Sequence, residues 1–139
     1  MITISAFADE IGPDLALQMD TCQALGLRCI DVRGIDGVNV SKMTIAQARQ
    51  YRQQMDDRGF SVPCIGSPIG KIRLSDDFPA HLDLLRHVIE LAGIFGTKNI
   101  RVFSFYPAQG QNVLDHRQGV LDRMAAMVEI AHAAGAVLY

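Results

Sequence analysis

Residues 131–139 read AHAAGAVLY: a helical run rich in alanine, a glycine, then an apolar strand-like run. The same junction occurs three more times, in ALGLRCIDVRG (24–34), DRGFSVPCIG (57–66) and IFGTKNIRVFSF (94–105). Its glycines, Gly26, Gly59, Gly96 and Gly135, are spaced 33, 37 and 39 residues apart. A glycine just past a helix takes the left-handed cap conformation without a Cβ penalty. An opening run, ITISAFA (2–8), supplies a strand before the first helix. The order is therefore β-α-β-α-β-α-β-α-β.

Helix starts are readable too. Pro13 and Pro79 are expected in first turns, where the missing N–H would be unpaired anyway. Thr44 with Gln47 forms a capping-box pattern. Leu82, Leu85, Ile89 and Ala92 predict the buried face of the third helix, and Leu121, Met124, Val128 and Ala131 that of the fourth. The methionines in these stripes read as core filler. The strand runs are short and apolar, as parallel strands covered on both sides tend to be. Pro63 falls inside the third run and predicts a bulged or locally unpaired strand. Strands alternating with helices imply right-handed crossovers and a parallel sheet. Two architectures share this pattern, an open doubly wound sheet and part of a (β/α)8 barrel. No linker or second domain is visible, so residues 1–139 read as one α/β domain.

The 139 residues are 49% apolar and 20% charged, with a net charge of −2, a globular composition without the basic footprint of a nucleic-acid binder. Cys22, Cys29 and Cys64 form neither a C-x-x-C motif nor an even set, which points to a reducing, cytoplasmic setting rather than a disulfide framework. The N-terminus lacks a signal-peptide pattern, and no apolar run is long enough to cross a bilayer. Neither membrane nor nucleic acid is expected as a partner.

In parallel α/β folds, chemistry gathers at the carboxyl ends of strands. Those ends carry Phe7, Asp9 and Glu10 after the first strand, and Arg33, Asp36 and Asn39 after the second. Ser67, Lys71 and Arg73 follow the third, and Ser104, Tyr106 and Gln109 the fourth. Together they resemble the rim of a small-molecule site. Each also has a plainer reading. Asp9 and Glu10 suit a helix start, and Arg33 suits a salt bridge to a neighbouring loop. Lys71, between Gly66 and Gly70, sits where a loop can approach a ligand closely. Phe103, Phe105 and Tyr106 cannot all be core, since residues alternate faces along a strand. GSPIGK (66–71) lacks phosphate-loop spacing. His81, His87, His116 and His132 fall on the third and fourth helices, away from strand ends, and no set of residues has metal-ligand or Ser-His-Asp spacing.

SAFADEIGPD (5–14), VRGIDGVNV (32–40), DDRGFSVPCIGSPIGKI (56–72) and IRVFSFY (100–106) resemble the sugar phosphate isomerase/epimerase family, xylose-isomerase-like TIM barrels. The resemblance runs from Met1 to Tyr139, in the order of that family's first half. It implies a partial (β/α)8 barrel: four βα units and the start of strand five, cut before its catalytic end. It implies a metal-dependent sugar or sugar-phosphate isomerase or epimerase, or a dehydratase of the inosose-dehydratase type on the same barrel. The family's divalent metal (Mn, Mg, Zn or Co) is held at the ends of strands five to eight. None is therefore expected in this chain alone, which should be inactive by itself. What the resemblance carries over is a substrate rim of Phe7, Asp9, Glu10, Arg33, Ser67, Lys71, Ser104 and Tyr106. Lys71 and Arg33 point to an anionic substrate. Half a barrel also leaves open sheet edges and an apolar face, which predicts self-association, or a non-catalytic oligomeric binding module.

Overall fold

Five extended segments lie side by side in chain order. In a computed structural model, which describes residues 2–107, 110 and 112–139, parallel bridges join Ala6 to Ile30, Cys29 to Ser61, Val32 to Ile65 and Ile65 to Ile100. The fifth segment joins the fourth as a parallel ladder between β3 (Asn99–Ile100) and β4 (Val137–Leu138). Order 1-2-3-4-5 is that of a barrel wall. It is not the order of a doubly wound sheet, in which the strand order reverses.

The helices alternate with the segments as the junctions require. They are α1 (Leu15–Ala24), α2 (Ile45–Asp57), α3 (Phe78–Phe95) and α4 (Arg117–Ala133). All four junction glycines have positive φ, between 69° and 78°. Both halves of the Thr44–Gln47 capping box are formed, and Pro79 lies in the first turn of α3 behind its Asp77 cap. Pro13 does not enter a first turn. Asp14 caps α1 by accepting from the Leu17 N–H, which leaves Pro13 one residue outside the helix. There its carbonyl accepts from the Asp36 N–H at 2.7 Å.

Regular pairing is shorter than the apolar runs suggest. Bridges in the third segment flank Pro63, at Ser61 and Ile65. The Pro63 carbonyl is taken by the Thr97 hydroxyl at 2.7 Å and the Asn99 amide at 3.0 Å, side chains that stand in for a ladder partner. After the second segment, β1 (Gly34–Ile35) and β2 (Val38–Asn39) form an antiparallel hairpin. Its turn residues Asp36 and Gly37 both have positive φ, as a two-residue Asp-Gly turn requires. Gln18 on α1 is almost wholly buried, and its amide donates to the carbonyls of Gly12, Pro13 and Gly34, bolting the first rim loop to this hairpin.

The core lies between the sheet and the helices. Ile30, Val32, Ile65 and Ile100 of the segments cluster with Met55 of α2 and Leu85, Leu91 and Phe95 of α3. Met19, Met43, Met55 and Met127 are buried fillers. On α4 the buried stripe is turned from the expected one. Met127 and Ala131 are buried, while Leu121 is 44% and Val128 50% exposed. The inward face runs Val120, Met124, Met127, Ala131, so the expected Met124 and Ala131 face inward while Val120 and Met127 take the places of Leu121 and Val128. Among the described residues no helix is long and apolar enough to span a membrane.

Candidate functional site

The carboxyl ends of the first four segments converge on a ladder of alternating cations and rings. The Arg33 guanidinium lies 5.3 Å from the Phe7 ring centroid, and the Arg101 guanidinium 5.1 Å from the same ring. Arg101 also lies 4.7 Å from the centroid of Phe103, and the Lys71 ammonium 4.7 Å from that ring. Cations over aromatic faces are attracted by the ring quadrupole, more strongly where water is excluded. Four different strand ends are stapled together in this way.

Close packing of the third loop makes the ladder possible. A Cβ on Gly66 would come within 2.6 Å of the Phe7 ring and 3.1 Å of the Arg33 side chain, so only glycine lets that ring and arginine meet over the loop. Gly70 is tighter still. Its φ is +84°, and a Cβ there would stand 1.8 Å from the Phe103 carbonyl oxygen. Main-chain bonds run between the third and fourth ends, from Phe103 N–H to Ile69 at 2.8 Å and from Phe105 N–H to Gly70 at 3.1 Å.

His81, near the start of α3, latches this loop. It is buried, and its Nε2 accepts from the Gly70 N–H at 2.8 Å, so the ring is neutral with its proton on Nδ1. Burial, and then the charge of Arg123, push its pKa below the ordinary histidine value. Arg123 on α4 donates to the Leu74 carbonyl at 2.6 Å and lies over the rings of Phe78 and Phe105.

The anticipated rim residues sort into three groups. Phe7, Asp9, Glu10 and Arg33 come together. Arg33 donates from Nε to Asp9 Oδ2 at 2.7 Å and from Nη2 to Glu10 Oε1 at 2.5 Å, and these two carboxylates raise its pKa. Lys71 joins them through Phe103 and Arg101. Ser67, by contrast, is fully buried. Its hydroxyl donates to the Arg101 carbonyl at 2.6 Å and accepts from the Ile69 N–H, so it braces the loop from within. Ser104 and Tyr106 lie on the far side of the fourth end. Ser104 lines an apolar cavity of about 250 Å³ with Phe105, Pro107 and Leu121, and Tyr106 is 49% exposed. Of the aromatics, Phe105 is the buried one. Its φ of +72° breaks the alternation that would otherwise put it on the same face as Phe103. Gln109 lies outside the described residues.

Asp36 accepts from the Tyr51 hydroxyl, and Asn39 caps the following turn at Ser41. Both are structural in these contacts. Arg101 and His81 are the rim residues that sequence reading missed. Arg101 donates to the carbonyls of Gly66 and Ser67, both at 3.0 Å, and its Nε is buried without a partner. Its signal was a charge inside an apolar run, two residues before Phe103 and so on the same face.

Among the described residues no three His, Cys, Asp or Glu side chains gather into a metal cage. These residues by themselves do not fit a divalent ion.

No protein-family model and no curated protein sequence matches the chain. Solved structures do. A probable 3-DHS dehydratase, AsbF, involved in petrobactin synthesis from Bacillus anthracis, matches with a TM-score of 0.75 at 16% identity, over 99% of this chain and 51% of the other. D-psicose 3-epimerase in the presence of D-fructose matches with a TM-score of 0.68 at 12% identity, over 99% and 51%. A xylose isomerase-like TIM barrel protein from Mycobacterium smegmatis in complex with magnesium matches with a TM-score of 0.62 at 16% identity, over 89% and 46%. The fold is thus that of half a (β/α)8 barrel. The chain spans about half the length of the structures it matches.

Proposed function

We propose that these 139 residues are the substrate-rim half of a metal-dependent sugar or sugar-phosphate isomerase or epimerase. The observation that carries this reading is the convergence of four strand ends on the Arg33–Phe7–Arg101–Phe103–Lys71 ladder, within a fold shared with sugar epimerases. Isomerisation and epimerisation beside a carbonyl need a Lewis acid and a positioned base, because a sugar C–H is too weak an acid for a side chain alone. When bound, a divalent metal would polarise the sugar's carbonyl and hydroxyl. We place its ligands in residues that complete the barrel, so that this chain binds and orients substrate without turning it over. The TM-score of 0.75 to a dehydratase favours a second reading, elimination of water from a related substrate at the same rim.

The two sheet flanks give a further part of the proposal. Ile2 and Ile4 are 92% and 65% exposed at one edge, and Val137 and Tyr139 are 37% and 68% exposed at the other. We propose that these edges pair, with a second copy or with the polypeptide that completes the barrel. The three free thiols suit a reducing, cytoplasmic setting.

Titration calorimetry with Mn²⁺, alongside an epimerase assay on ketohexoses, tests the division of labour. The expected result is no stoichiometric metal binding and no turnover by this chain. Tight one-to-one Mn²⁺ binding with turnover would overturn it.

A further inference from the structure

The three cations of the ladder are not equivalent. Arg33 is forked between Asp9 and Glu10, so its charge is already met inside the chain. Among the described residues, neither Arg101 nor Lys71 has a carboxylate partner within ion-pair distance. Both lie against the same ring, each 4.7 Å from the Phe103 centroid, and are therefore at most twice that distance from one another. Two like charges are held together by one aromatic ring with no anion between them. Such a pair gains most from an anion that arrives from outside.

The supports of the pair are rigid. Arg101 is fixed by the Gly66 and Ser67 carbonyls, and the loop carrying Lys71 is held by Gly70 against Phe103 and by the His81 latch. Burial, and next the neighbouring Arg33, lower the Arg101 pKa against the smaller opposing pull of Cys64, Asp9 and Asp31. The Lys71 ammonium is on an exposed residue, open to an incoming group.

We infer that Lys71 and Arg101 form an anion subsite that takes a carboxylate or phosphate carried by the substrate. This rests on the sugar-rim reading and narrows it to acidic sugars: aldonic-type acids or sugar phosphates. Arg33 is excluded from the role by its own two acids. Phe103, with both cations 4.7 Å from its centroid, serves as their platform rather than as a stacking surface for a sugar ring.

Three six-carbon probes separate the possibilities: D-gluconate, D-sorbitol 6-phosphate and neutral D-sorbitol. Each is titrated into the 139-residue chain at low salt, with the rim amides of residues 66–71 and 101–103 followed by ¹⁵N NMR. At least one anionic probe should bind roughly tenfold more tightly than sorbitol, as one charge-assisted contact allows. Lys71→Gln should abolish that preference, Lys71→Arg should retain it, and added salt should weaken it. Whether gluconate or the phosphate binds more tightly identifies the group carried. Sorbitol binding as tightly as the anions, or a preference unchanged in Lys71→Gln, overturns the anion subsite but leaves the sugar rim standing. No perturbation of the rim by any probe overturns both.

Discussion

The third loop and the α4–β4 flank are both glycine-bearing, largely apolar parts of the same sheet, yet they are finished to different degrees. Around residues 66–71, main-chain bonds, a buried serine, a buried histidine and a stack of rings and cations leave hardly any slack. A methyl group added to either glycine would be felt at once, since Gly66 faces Phe7 and Gly70 faces Phe103. On the flank, α4 buries Met127 and Ala131 while Leu121, Val128, Val137 and Tyr139 remain exposed. An apolar groove runs between Val128, His132 and Leu138. The difference teaches that the four strand ends are fixed by contacts within these residues, whereas the flank leaves apolar side chains uncovered.

The contrast can be broken most forcefully at Gly70. Gly70→Ala adds a left-handed alanine and an impossible approach to the Phe103 carbonyl, and should cost roughly 3–5 kcal/mol in urea unfolding. A loss below about 1 kcal/mol would show that the loop is loose. Next, Ile65→Ala empties a fully buried site between the second and fourth segments and should cost about 3 kcal/mol by the same measurement.

A smaller effect comes from pH. The folded pKa of His81 lies below its unfolded value of 6.5, so the unfolded chain takes up the proton first. Stability from this group is complete above pH 6.5 and is lost as pH falls from there toward the lower folded pKa. Urea midpoints at pH 7.5 and 5.0 should differ in this direction, and His81→Gln should shrink the difference; an unchanged difference would remove His81 as the latch. The smallest effect belongs to the flank. Val128→Ser should change the stability of the monomer by no more than about 0.5 kcal/mol. A loss of several kcal/mol would mean that this surface is already covered in solution.

Much of the wall could be read from periodicity, because each helix had to stop before the next strand could start. The four glycines with positive φ, the Thr44–Gln47 box and the break at Pro63 all rest on local chemistry that a sequence displays. The facing of α4 did not, since its apolar residues ring the helix and only the packing of α3 chooses among them. The Asp36–Gly37 hairpin rests on an Asp-Gly turn, which is also a local signal. In the site, Arg33 with Asp9 and Glu10 could be foreseen as neighbours at adjacent strand ends. Ser67 could not be distinguished from a ligand-facing serine, because only tertiary contacts turn its hydroxyl to the Arg101 carbonyl. Arg101 joins the rim by strand alternation, and His81 joins it because α3 begins where the third loop ends.

Amide hydrogen exchange tests most directly the claim that the rim is built ahead of the flank. The amides of Ile65, Arg101 and Phe103 are bonded between the third and fourth segments, and that of Gly70 to the buried His81 of α3. They should exchange with the slowest class in the protein, through global unfolding. Those of Val137 and Tyr139, though also hydrogen-bonded, should exchange faster by local opening. Equal protection in the two regions, or faster exchange at Gly70 and Phe103, would contradict the account.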